Sequence, residues 1–226
     1  MIRAILFDAG GTLIHVDGER VCAAARVAGG PDAFAAAEAA AVDSVRRWIL
    51  EHPASTDAER LPLFLATLLR ELGVPADLRE AAARAVAAEH ARANLWSAAF
   101  PDAAATLRTL RRRGYRLGVI SNADGRVRAL LEAAGLSSDL ELVVDSSEVG
   151  REKPDPEIFL EATRRLGLPP ADCAYVGDIY EIDVVGARAA GLEGVLLGNG
   201  AAPADVPRAG SLTALLERYP GLAAAG

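Results

Sequence analysis

Two textures of apolar and polar positions divide the chain. The first opens at Ile2. Ile2, Ala4, Ile5, Leu6 and Phe7 form a run with almost no polar interruption, closed by Gly10 and Gly11. A short apolar run bounded by glycines predicts a strand buried on both faces. Asp8 stands where that strand ends, and the glycines let the backbone turn sharply and present its N–H groups. Open α/β sheets keep their reactive sites at the carboxyl ends of central parallel strands. Asp8 is therefore the leading candidate for a nucleophile.

The second texture runs from about His15 to Phe100, where strand-like runs vanish and alanine-rich helical spacing takes over. One helix is predicted over 32–52. Thr56 and Glu59 form a capping box for the next. Leu61, Phe64, Leu65, Leu68 and Leu72 recur at helical spacing until Gly73 stops that helix. A further helix is predicted over 75–94. This block is inserted after the first strand, and it predicts a separate helical module with crossings near Thr12–Gly18 and Ser97–Pro101. Trp48, His90, Asn94 and Trp96 are its conspicuous side chains, and helix packing accounts for them.

After Pro101 the first texture returns. Helices are predicted over 103–113, 126–134, 156–166, 184–190 and 211–218, and strands over 116–120, 141–144, 173–176 and 194–197. Asp155-Pro156 is a cap followed by proline at the first helical position. This alternation predicts an α/β fold with a doubly wound, parallel, Rossmann-like sheet. The core would comprise residues 1–14 and 98–226, and an all-helical cap domain residues 15–97.

Composition narrows the possible partners. The 226 residues carry 24 Lys plus Arg against 31 Asp plus Glu, a net charge of −7. That balance argues against general nucleic-acid or anionic-membrane binding. Hydrophobic residues make up 51%, which excludes a disordered chain. Cys22 and Cys173 stand far apart and read as reduced thiols. No signal-like segment opens the sequence and no window is long enough to span a bilayer, so a cytoplasmic protein is expected, monomeric or homodimeric.

Polar residues recur at the predicted strand ends. They are Asp8 with Thr12, then Ser121, then Lys153 in the loop REKPDP, then Asp178 with Asp183. Each alone is weak: an acid after a strand is often a helix cap, and a lone lysine is usually solvated. Their joint occurrence at one edge of one sheet carries the signal. Arg151 and Glu152 read as surface charges of the loop.

In FDAGGTL, VISN, KPDPEIF and VGDIYEID the chain resembles the haloacid dehalogenase superfamily of hydrolases, in the subfamily whose helical cap follows the first motif. The resemblance implies a Mg²⁺-dependent phosphatase acting on a small phosphorylated metabolite through an aspartyl-phosphate on Asp8. It implies that Asp8, the Gly10 carbonyl and Asp178 hold Mg²⁺. It also implies that Ser121 and Lys153 hold the phosphoryl oxygens with Asn122 beside them, that Thr12 orients Asp8, and that Asp183 orients Lys153 or a metal-bound water. One position departs from the pattern. Phosphatases of this family usually carry an acid two residues after the nucleophile, and here that residue is Gly10. Two alternatives remain open: a haloacid dehalogenase with Asp8 attacking carbon, and a silent binding protein on the same fold.

Overall fold

β1 (Ala4–Phe7) is buried along its whole length, as its unbroken apolar run demands. The computed structural model describes residues 1–222. After β1 the chain turns through Gly10 and Gly11 into β2 (Ile14–Val16). Four helices follow: α1 (Gly18–Ala25), α2 (Pro31–Glu51), α3 (Asp57–Glu71) and α4 (Arg79–Arg92). β3 (Trp96–Ala99) then pairs with β2 in a two-stranded sheet. From there α5 (Ala103–Arg112), β4 (Arg116–Ser121), α6 (Val127–Ala133), β5 (Leu142–Asp145), α7 (Ser146–Val149), α8 (Pro156–Leu166) and β6 (Cys173–Gly177) alternate. A π-helical turn (Tyr180–Val184) runs into α9 (Val185–Ala189), and β7 (Glu193–Leu197), β8 (Arg208–Ala209) and α10 (Leu215–Arg218) complete the described chain.

The main sheet has six strands in the order β5-β4-β1-β6-β7-β8, all paired in parallel. The chain builds outward from β1 on one side and then on the other, so the strand order reverses at β1. That reversal is where open α/β sheets form their crevices. In register, Phe7 lies opposite Val119 on one side and Val176 on the other. Asp8 and Asp178, the first residues beyond β1 and β6, and Ser121, the last residue of β4, therefore lie at the carboxyl ends of three neighbouring strands.

One row across the sheet runs Gly118, Leu6, Tyr175, Gly194. A Cβ on Gly118 would come within 2.9 Å of the Leu6 side chain, and one on Gly194 within 2.8 Å of Val184. Glycines thus flank the two large side chains. Leu6 and Tyr175 pack with Ile120, Val144, Ile158 and Phe159 in a buried cluster.

Contacts divide the chain into two units, Met1–His15 with the chain from Ser97 onward, and Val16–Trp96. In the helical unit α2 buries Phe34, Ala37, Ala41, Val45 and Ile49, a stripe at spacings of three and four. α3 starts at the capping box, where Glu59 accepts the Thr56 N–H at 2.7 Å. Trp48 stacks on His52 at 3.7 Å, and His90 meets Trp96 edge-on at 5.6 Å. The Asn94 side chain accepts the Trp96 N–H at 2.9 Å.

Three predicted helices differ at their ends. The helix expected from Pro75 starts at Arg79, because residues 75–78 form a turn closed by Leu78 N–H on the Pro75 carbonyl at 2.9 Å. The helix expected from Ser211 is confined to Leu215–Arg218. The helix expected over 184–190 is preceded by the π-helical turn.

Candidate active site

At the sheet edge beyond β1 the chain must turn while leaving room for a carboxylate. Gly11 takes that turn with φ of +74°, and a Cβ there would lie 2.8 Å from the Asp178 carboxylate. Both conditions require glycine. The turn is closed by the Gly11 N–H on the Ile14 carbonyl at 2.8 Å and by Leu13 N–H on Ala9 at 2.9 Å. Asp8 sits at its mouth, with the Ala9 N–H on its Oδ1 at 2.7 Å.

Lys153 is the hub. Its ammonium lies 2.8 Å from Asp8 Oδ1 and 2.8 Å from Asp183 Oδ1, and it donates to the Tyr175 hydroxyl at 2.8 Å. Its side chain is 2% exposed, whereas that of Asp8 keeps 14%. Asn122 fixes the lysine main chain. It takes the Lys153 N–H on Oδ1 at 2.7 Å and donates Nδ2 to the Lys153 carbonyl at 3.1 Å. The loop carrying Asn122 is pinned in turn. Ala123 N–H donates to Ser146 Oγ at 3.0 Å, and Gly125 N–H to Asp145 Oδ2 at 2.9 Å.

Asp183 is buried, and the π-helical turn swings it back over the end of β6, where it accepts the Ile179 N–H on Oδ2 at 2.9 Å. A Cβ on Gly177 would strike its carboxylate, so the glycine before Asp178 is also required. Both Asp183 oxygens are thus engaged, one on Lys153 and one on the backbone. Ser121 is buried at the end of β4, in register with Asp145. The Thr12 hydroxyl, expected on Asp8, is buried without a hydrogen-bond partner among the described residues.

The electrostatics follow from burial and proximity. Burial pushes the Asp8 carboxyl up to about 7, against the pull of Lys153, and the Asp183 charge adds to the rise. Burial draws the Lys153 ammonium down, but Asp183 and Asp8 outweigh it and hold the lysine above its ordinary range. Burial, with the charges of Asp8 and Asp183, keeps the Tyr175 phenol well above its ordinary value, so it remains protonated.

Asp8, Asp178 and Asp183 each offer a carboxylate oxygen within 4.8 Å of the others. An all-oxygen anionic set of this kind suits a hard divalent cation such as Mg²⁺. With Asp183 engaged on both oxygens, Asp8 and Asp178 fit the ion best.

Asp8, Lys153, Asp178 and Asp183 lie in one cluster, and Asn122 holds the Lys153 main chain. Tyr175 and Gly11 join them. Tyr175 was missed because nothing in YVGD distinguishes its hydroxyl from that of a core tyrosine. His15 packs on Phe100 with ring centres 4.9 Å apart. Asp17 caps α1, accepting the Arg20 N–H at 3.1 Å. Arg151 pairs with Asp155 at 3.8 Å, as a loop charge would.

Comparison with known proteins assigns the family. A model described as haloacid dehalogenase-like hydrolase matches residues 2–191. A glyceraldehyde 3-phosphate phosphatase of Methanopyrus kandleri is 32% identical over 209 residues, 88% of this chain and 85% of that protein. The bovine haloacid dehalogenase-like hydrolase domain-containing protein 3 is 44% identical over 95 residues, 42% of this chain. The chain spans 38% of that bovine protein and 49% of its mouse counterpart. Among solved structures, the putative HAD-hydrolase YfnB of Bacillus subtilis aligns with a TM-score of 0.66 at 20% identity, covering 96% of this chain and 98% of that one. A dehalogenase with intermediate complex aligns at 0.65 and 24% identity, covering 96% of each chain. Those two structural likenesses show the fold alone. With a family model matching 190 consecutive residues that include every strand-end residue of the site, the chain belongs to the haloacid dehalogenase-like hydrolases.

Proposed function

We propose that this chain is a Mg²⁺-dependent phosphatase acting on a small phosphorylated metabolite, with Asp8 as its nucleophile. The observation that carries the reading is the single cluster in which Lys153 bridges Asp8 and Asp183 beside Asp178. Relatives named for dephosphorylating glyceraldehyde 3-phosphate and phosphoserine support it. An Asp8 carboxylate oxygen attacks phosphorus, the bond to the leaving oxygen breaks, and an aspartyl-phosphate forms on Asp8. Water then attacks phosphorus and frees phosphate, so one hard displacement becomes two easier ones. Mg²⁺ held by Asp8, Asp178 and the Gly10 carbonyl would neutralise phosphoryl charge that otherwise repels a carboxylate. Lys153 opposes the rise that burial imposes on the Asp8 carboxyl and, with Ser121, would hold the phosphoryl oxygens. Asn122 sets the lysine main chain and Asp183 its ammonium. The helical unit, as a cap, would select the leaving group.

Gly10 favours a second reading. It offers no acid to protonate a leaving alkoxide, and haloacid chemistry at carbon needs none. Phosphate esters and haloacids assayed side by side, with and without Mg²⁺, separate the two. Ester turnover that requires Mg²⁺ and vanishes in Asp8→Asn is expected. Metal-independent haloacid turnover would replace the phosphatase reading. Phosphate affinity without turnover of either class would leave a binding protein.

A further inference from the structure

Tyr175 lies on β6 with none of its surface exposed, in the layer beneath the active site. Its ring meets Phe159 edge-on, 4.9 Å between centres, and shares the cluster of Leu6 and Ile120. Phenylalanine would serve that packing. A hydroxyl taken out of water costs free energy unless it is paired, and here it has two short partners, with Asp183 Oδ1 a longer acceptor at 3.4 Å. It donates to the Ile120 carbonyl at 2.9 Å and accepts from Lys153 Nζ at 2.8 Å.

A lysine ammonium has three N–H donors. Those of Lys153 have three oxygens within 2.8 Å: Asp8 Oδ1, Asp183 Oδ1 and Tyr175 Oη. Three acceptors satisfy every N–H of this buried group, and two would leave one N–H buried and unpaired. The tyrosine is also the acceptor anchored from outside the charge cluster. Through Ile120 it ties the ammonium to the end of β4, one residue before Ser121, and it does so from β6, with β1 between the two strands.

We propose that Tyr175 is a positioning residue of this site: its buried hydroxyl fixes the Lys153 ammonium on Asp8 by taking the third N–H and anchoring it to the Ile120 carbonyl. The kinetic consequence rests on the phosphatase reading above, whereas the geometric one stands without it. Loss of the hydroxyl leaves one ammonium N–H without its acceptor and removes the anchor to Ile120, so the ammonium shifts more easily and Asp8 is less well held as the reaction begins. Misplacement of that kind lowers kcat more than it alters KM.

Two measurements on the whole chain test this. The first uses no substrate and no metal: the ¹H–¹⁵N signal of the Lys153 ammonium. In the wild type it should be sharp and slow to exchange at neutral pH, and in Tyr175→Phe it should broaden or vanish while the melting temperature stays near that of the wild type. An ammonium that exchanges freely in the wild type, or one unchanged in Tyr175→Phe, overturns the proposal. The second compares kinetics, with Phe159→Leu as a packing control that keeps the hydroxyl. Tyr175→Phe should lower kcat about tenfold at nearly constant KM. Phe159→Leu should lower the melting temperature and leave kcat near wild type. If both variants lose stability alike and neither changes kcat, Tyr175 is a core residue only. If the wild type turns over no phosphate ester, the phosphatase reading fails, and the ammonium signal still decides the role of Tyr175.

Discussion

At the scale of single residues, two adjacent glycines do different work. Gly11 carries the left-handed turn, and a Cβ there meets the Asp178 carboxylate. Gly11→Ala should therefore cost about 1–3 kcal/mol in a denaturant melt and displace Asp178. A variant within 0.5 kcal/mol of wild type would contradict that reading, since surface changes fall within about that range. Gly10 leaves an acid missing. Since the left-handed residue of this turn is Gly11, an aspartate at position 10 should fold, and Gly10→Asp should speed hydrolysis of alkyl phosphates by about 10²-fold or more. The gain with p-nitrophenyl phosphate, whose leaving group scarcely needs a proton, should be smaller. A folded variant with no gain on alkyl phosphates would mean that the site lacks more than an acid. Asp8, Lys153, Asp178 and Asp183 were legible in the sequence because Asp8 and Asp178 directly follow strands and the order of the four motifs is specific. The hydroxyl of Tyr175 and the side-chain clamp of Asn122 on Lys153 were not, because those partners meet only when β4, β6 and the loop before α8 are folded together.

At the scale of elements, long periodic segments were readable and short ones were not. α2 and α3 announce themselves by apolar stripes and a capping box. α1 has only eight residues, β2 three, β3 four, α7 four and β8 two, too few for a period to show. Their stability is tertiary, and α1 shows how. Arg20 on α1 donates to Glu89 on α4 at 2.8 and 3.1 Å, and Arg92 donates to the same carboxylate at 2.7 and 2.9 Å. The Arg92 hydrogen bonds first, and those of Arg20 next, pull the Glu89 carboxyl from 4.5 down to about 2. A depressed folded-state value stabilises the native state above the unfolded value and loses that contribution as pH falls through the folded one. Glu89→Gln should thus melt earlier than wild type at pH 7, and the gap should close between pH 4.5 and about 2. A gap that is constant with pH would mean that the arginines do not depend on the charge.

At the scale of the whole molecule, the sheet reverses direction at β1 and brings acids from β1 and β6 together. A cation bound there by the folded chain alone stabilises it by mass action. Millimolar Mg²⁺ should raise the melting temperature, and Asp178→Ala should abolish the shift. An equal shift in the variant would remove the metal assignment. None of the described helices is long and apolar enough to cross a membrane. The alternating core was visible in the sequence because buried parallel strands are continuous apolar runs, and the helical insertion was visible because that pattern stops. What the sequence left open is whether the carboxylate at the centre forms a bond. Acid-quenched enzyme, taken during turnover of p-nitrophenyl phosphate with Mg²⁺ and digested for peptide mass spectrometry, answers that directly. A nucleophilic role for Asp8 requires phosphate on the peptide containing Asp8 and none in Asp8→Asn. Phosphate on a peptide containing Ser121 instead, or turnover that persists in Asp8→Asn, would contradict it.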